Sequence, residues 1–183
     1  MIYSFSLQSV GIAVGVLLLL GHAVAWVGGP TAMASAKSFP RSRVAATLLL
    51  IAAAVWAFLL VQDIDLGEFS RLRQVMLMGI VAGAILAWLY VEEFLAARAL
   101  GMLLLLAAEV LLESAALRTE PSRLLLVTLA YAWVLAGLFF VGMPYLLRDA
   151  VTLATASTRR WRLACLGGVA YGVALLVCAI LFW

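Results

Sequence analysis

Histidine, cysteine, lysine and proline are all scarce in this chain of 183 residues, and each scarcity excludes something. With His22 as its only histidine, the chain cannot supply bis-histidine haem ligation or a histidine-based zinc centre from its own residues. Its two cysteines, Cys165 and Cys178, fall on one expected helix, about 20 Å apart along the axis. They are too far apart to pair with each other, and they read as small packing residues. No H-E-x-x-H, G-x-S-x-G, P-loop or paired C-x-x-C pattern occurs. A membrane enzyme acting on lipid or quinone needs nucleophiles, acids or metal ligands clustered near an interface, and none cluster in this sequence. The expectation is a non-catalytic chain with no cofactor, no metal and no catalytic residue.

Charge is scarce too. Only 11% of residues are Asp, Glu, Lys or Arg, against 67% hydrophobic residues and a mean hydropathy of +1.18. A soluble fold of this size cannot bury so much apolar surface. The charges cluster, leaving six predominantly apolar stretches of membrane-crossing length: Leu7 to Val27, Val44 to Gln62, Leu72 to Tyr90, Leu95 to Leu117, Leu124 to Leu147 and Trp161 to Phe182. The fold expected is all-α, a polytopic helical bundle in the membrane. The connections, of which GGPTAMASAKSFPR and LRDAVTLATASTRR are the longest, are too short for a soluble domain, so residues 1–183 are read as one transmembrane domain. No proline lies between Arg71 and Ala115. A single helix of that length would run about 67 Å, so a tight turn is placed at Glu92 and Glu93.

The first stretch ends in HAVAW, a small-x-small pattern like a signal-cleavage site, but MIYSFSLQS has no basic residue and the apolar run is long for a signal core. It is expected to stay as a span; its removal would leave five. Eight of the twelve basic residues (Lys37, Arg41, Arg43, Arg98, Arg148, Arg159, Arg160 and Arg162) follow spans 1, 3 and 5, and four (Arg71, Arg73, Arg118 and Arg123) follow spans 2 and 4. By the positive-inside rule both termini face away from the cytoplasm. The net charge of +3 and pI near 9.2 come from dispersed loop arginines without an interleaved aromatic platform, so no nucleic acid is expected as partner. Arg159, Arg160 and Arg162 are placed to meet anionic lipid head groups, and Trp26, Trp161 and Trp183 suit interfacial positions. Eleven Arg to one Lys, with abundant Ala and Leu, fits a GC-rich bacterial source and hence a plasma-membrane location.

Glycine supplies the clearest packing signal. Gly11 and Gly15, Gly79 and Gly83, and Gly168 and Gly172 each form a small-xxx-small pair on a predicted span, which lets helix backbones approach closely where lipid gives no hydrophobic drive for association. Pro144 is expected to free the Phe140 carbonyl and kink the fifth helix. Arg71, Arg73, Gly79 and Gly83 recur at a constant offset as Arg160, Arg162, Gly168 and Gly172, as in an inverted repeat, although helices 1 and 4 show no matching polar positions. Asp63, Asp65, Gly67 and Glu68 resemble the start of a calcium loop but lack the closing ligands, so a solvated turn is expected.

Two acids interrupt the fourth apolar stretch. With an exit near Leu117, Glu109 lies about 12 Å deep and Glu113 about 6 Å; the nine leucines of the segment carry both across. Glu113 reads as an interfacial or mouth residue near Arg118 or Arg123. Glu109 has two readings: a neutral, hydrogen-bonded side chain that locks two helices, or a proton or cation site in a transport path. An antiparallel hairpin turning near Glu120 to Ser122 puts Tyr131 at the depth of Glu109, making it the expected hydrogen-bond partner, with Thr128 level with Glu113. The function expected is that of a helical subunit or assembly partner bound to other integral membrane subunits or to itself in the lipid bilayer. The alternative is a proton- or cation-coupled transporter using Glu109, and a third reading is a membrane-embedded lipid or quinone enzyme.

Overall fold

The computed structural model describes residues 5–91 and 93–183. Among them the chain is all-α, with no strand, and six helices are long and apolar enough to cross a membrane. The helices are α1 (Leu7–Ser38), α2 (Arg43–Asp63), α3 (Arg73–Tyr90), α4 (Leu95–Ala115), α5 (Arg123–Gly142), α6 (Tyr145–Ala154) and α7 (Thr158–Leu181). Short 3-10 turns, Phe39–Arg41 and Gly67–Leu72, lead into α2 and α3. Serine side chains start three of the helices: Ser6, Ser42 and Ser157 accept from the backbone N–H of Ser9, Ala45 and Arg160, satisfying donors that a first turn leaves free.

The four middle boundaries follow the hydropathy closely, and the two long connections do not. The stretch expected as a loop after the first span is helical to Ser38, beyond a break at Gly29, whose φ of 47° and ψ of −122° leave the helical region. Glycine tolerates that conformation, Pro30 suits the first turn of a new helix, and the alanine-rich TAMASAKS has the propensity to continue it. The second correction concerns Pro144. Instead of kinking a helix that runs to Leu147, it ends α5 at Gly142 and sits at the N-cap of a separate helix, α6. A residue before proline is driven out of the α region, and Met143, at φ −128° and ψ 68°, is where the chain turns. The expected α3–α4 turn includes Glu93 and Phe94; Glu92 lies outside the described residues.

The helices associate mainly in pairs, α1 with α7 and α4 with α5, while α2 packs between α4 and α3. One core joins Leu7, Val10 and Val14 of α1 to Ala108, Leu111 and Ala115 of α4, Leu126 and Ala130 of α5, and Leu175 of α7. A second lies at the opposite end, where Ala46 and Leu50 of α2 meet Leu95, Ala96 and Ala99 of α4. Two hydrogen bonds tie α7 and the chain end to the start of α5: Tyr171 Oη donates to the Leu125 carbonyl at 2.7 Å, and Trp183 Nε1 to Ser122 Oγ at 2.7 Å. Many large apolar side chains face outward, the arrangement of a chain whose solvent is hydrocarbon. No residue of α3 is buried.

Candidate functional site

The three glycine pairs have different fates. Gly11 and Gly15 of α1 and Gly168 and Gly172 of α7 meet across one seam. A Cβ built on Gly172 would lie 2.8 Å from the Leu19 nitrogen and 2.9 Å from the Gly15 carbonyl oxygen. The Gly168 position is closed by the His22 ring, and Gly11 by the indole of Trp183. His22 is thereby a packing residue, its Nδ1 2.8 Å from the Leu18 carbonyl of its own helix. A Cβ built on Gly79 or Gly83 of α3 would meet nothing within 4 Å. The glycine pairs of α3 and α7 thus sit in unlike surroundings, one open and one closed.

A seam that the glycine-pair pattern does not reveal holds α4 to α5. Gly101 and Gly137 stand face to face, and a Cβ on either would lie 2.8 Å from the carbonyl oxygen of the other. Each is a lone glycine on its helix face, so no Gly-xxx-Gly pair announces it, although Ala97 and Gly101 form a small-xxx-small pair on α4. The hairpin register that levels Glu109 with Tyr131 also brings Gly101 close to the level of Gly137, and that was a further signal.

The same seam sets the rotation of both helices and separates the expected Glu109–Tyr131 pair. Buried Leu126, Ala130 and Gly137 line the inner face of α5. Tyr131, about 100° around the helix from Ala130, points outward and is 58% exposed. No hydrogen bond joins it to Glu109 among the described residues, so equal depth did not bring contact. Thr128, expected level with Glu113, donates instead to the Leu124 carbonyl of its own helix. Ser114 is buried and donates to the Leu111 carbonyl. Arg123 Nη1 is used on the Ala115 carbonyl at the end of α4, 2.9 Å away.

Glu109 itself is half-buried and forms no hydrogen bond or ion pair among the described residues. Its spacing puts it on one stripe of α4 with Met102, Leu106 and Glu113. Met102 and Leu106 form part of the wall of an apolar cleft of about 470 Å³ between α4, α2 and α3, and Gly79 and Gly83 lie across it. Glu109 thus continues, one turn further along α4, the helix face that borders the open α3 glycines.

At the basic end of the bundle, the α4 start is held by arginines. Phe94, at the N-cap of α4, adopts a left-handed conformation with φ 55°, which costs a non-glycine residue roughly 1–2 kcal/mol. Arg41 and Arg148 stand over its ring at 5.7 and 5.9 Å from the centroid, cation–π contacts that offset part of that cost. Arg148 also pairs with Asp149 at 2.8 Å. Arg98, one turn into α4, donates from Nη1 to the Val141 carbonyl at 2.9 Å. That carbonyl belongs to the last turn of α5, where Pro144 has ended the helix. The acidic Asp63–Glu68 segment forms a turn in which Asp65 Oδ1 accepts from the Gly67 N–H at 2.9 Å, and no metal-binding group of His, Cys, Asp or Glu occurs among the described residues.

Glu109, half-buried as Glu113 and Glu120 are, thus stands on the helix face that borders an apolar cleft, while toward the ends of the bundle the buried Nε atoms of Arg73 and Arg98 and Oε2 of Glu120 have no hydrogen-bond partner among the described residues. No protein-family model matches this chain, and neither a curated protein nor a solved structure is detectably similar to it.

Proposed function

We propose that this chain is a non-catalytic helical subunit, or assembly partner, of a larger membrane complex. The observation that carries the reading is α3. It has no buried residue, packs chiefly against α2, and carries an open Gly79–Gly83 pair on a cleft of about 470 Å³. A small-xxx-small face admits a close helix backbone, and lipid tails gain little from filling it. A second transmembrane helix, from another subunit or from another copy, is the occupant that such a face fits. In this reading the chain lies in a bacterial plasma membrane, with both termini on the non-cytoplasmic side, as the arginine distribution favours.

The test is recovery from native membranes in mild detergent. The wild-type chain is expected to come out with stoichiometric membrane companions or as an oligomer, and Gly79→Ile/Gly83→Ile is expected to lose them while retaining its helical content. Recovery of the wild-type chain alone would sink the proposal.

A second reading, proton or cation transport, is favoured by Glu109, a half-buried carboxyl without a hydrogen-bond partner among the described residues. Intramembrane acids of this kind commonly mark ion pathways. On this reading, the purified chain in proteoliposomes carries a flux that Glu109→Gln reduces at least tenfold with folding unchanged. An unaltered flux in that variant removes Glu109 from the path.

A further inference from the structure

The α1–α7 pair carries a small pocket at its basic end, about 260 Å³, lined by Trp26, Thr158, Arg159, Arg162, Leu163 and Leu166. Its composition is graded along α7. The first turn contributes a hydroxyl and a guanidinium, the next turn a second guanidinium, and beyond it the lining is leucine. Trp26 forms the facing wall from α1, its ring 6.0 Å from the Arg162 guanidinium carbon. The pair is fixed there, since Trp161 Nε1 donates to the Ala25 carbonyl at 3.1 Å. No carboxylate lines the pocket, and no ion pair engages Arg159 or Arg162 among the described residues.

We propose that this pocket binds an anionic phospholipid. Arg159, Arg162 and the Thr158 hydroxyl take the phosphodiester, and the acyl chain runs along Leu163, Leu166 and the Trp26 indole. Planar guanidinium groups match phosphate oxygens with paired donors. A free phosphate ion would use only the polar part of the lining; the leucines and the indole are accounted for by a ligand that continues into hydrocarbon. Arg160 does not line the pocket, so the inference is narrower than general attraction of a basic loop to a charged surface. Each of the two lining arginines contributes roughly fivefold in affinity near an anionic membrane.

The experiment uses the full chain in phosphatidylcholine vesicles doped with brominated phosphatidylglycerol or with brominated phosphatidylcholine. Brominated chains quench nearby indoles. Quenching by the anionic lipid is expected to exceed that by the zwitterionic one, and Trp26→Phe is expected to remove the excess, which assigns it to this pocket. Arg159→Gln/Arg162→Gln removes it as well. Arg159→Gln alone, which keeps the contact between Arg162 and Trp26, weakens it about fivefold, and Arg160→Gln leaves it intact. Equal quenching by the two lipids overturns the proposal, and so does an excess that survives in the double variant. Loss of the excess on adding inorganic phosphate at constant ionic strength would show a site for free phosphate and would equally overturn it.

Discussion

Gly101→Ile is expected to destabilise the chain strongly, whereas Gly79→Ile leaves its stability nearly unchanged. The two glycines look alike in composition and both lie in apolar helices, so the contrast isolates packing. At Gly101 an added Cβ would meet the Gly137 carbonyl oxygen at 2.8 Å, with Val141 and Phe140 atoms at 3.0 and 3.1 Å. The nearest obstacle is backbone, which cannot rotate aside as a side-chain tip can. The helices must therefore part along a seam that also includes Leu105. Overpacking of this kind costs about 1–3 kcal/mol, and the backbone collision puts Gly101→Ile at the upper end. At Gly79 an added Cβ would meet nothing within 4 Å and faces a cleft, and the change should stay within about 0.5 kcal/mol. Thermal or denaturant unfolding of the two variants in one detergent decides the matter. Equal losses would mean that the α4–α5 seam is not the close contact described above.

The second large effect is expected at Arg98. Arg98→Ala removes the donor that reaches the Val141 carbonyl at 2.9 Å, at a point where α5 has ended and no following N–H takes its place. An unmet carbonyl away from water costs about 1–3 kcal/mol. Part of that is offset, because Arg98 holds a buried Nε without a partner of its own, and its removal relieves that desolvation. The net loss is therefore placed at about 1–2 kcal/mol, the lower half of that range. Hydrogen exchange should localise it, with protection falling at Gly142–Leu146 before the rest of α5. A variant as stable as wild type, with unchanged exchange there, would show that the carbonyl is met by water instead.

Arg98 also has a partner that its place in the sequence does not specify. Its position on an apolar helix was plain, and it was counted as a topology determinant. Its contact with α5 depended on the chain breaking at Pro144, and the expectation there was a kink. Proline in a helix is compatible with either outcome; the turn at Met143 and the amphipathic character of YLLRDAVTLA, which makes α6 a helix of its own, decided between them. In the same way, GGPTAMASAKSFPR reads as a connection between spans, although its alanine-rich part continues as helix beyond Gly29 and Pro30.

By itself the sequence determined the all-α class, the six apolar helices and the boundaries of the middle spans, because hydrocarbon demands continuous apolar runs with every backbone group satisfied inside the helix. The rise of 1.5 Å per residue, a property of any α-helix, gives the expected level of each residue along a hairpin, and by that measure Gly101 falls near Gly137, which the structure brings together. Only the tertiary structure decided rotation. Each residue advances the helix by about 100°, and the phase is set by whichever small residues let two backbones close. Gly101 and Gly137 closed α4 on α5 and left Tyr131 outside. Gly15 and Gly172 closed α1 on α7, while Gly79 and Gly83, identical in spacing, were left facing an open cleft, where an added Cβ meets nothing within 4 Å.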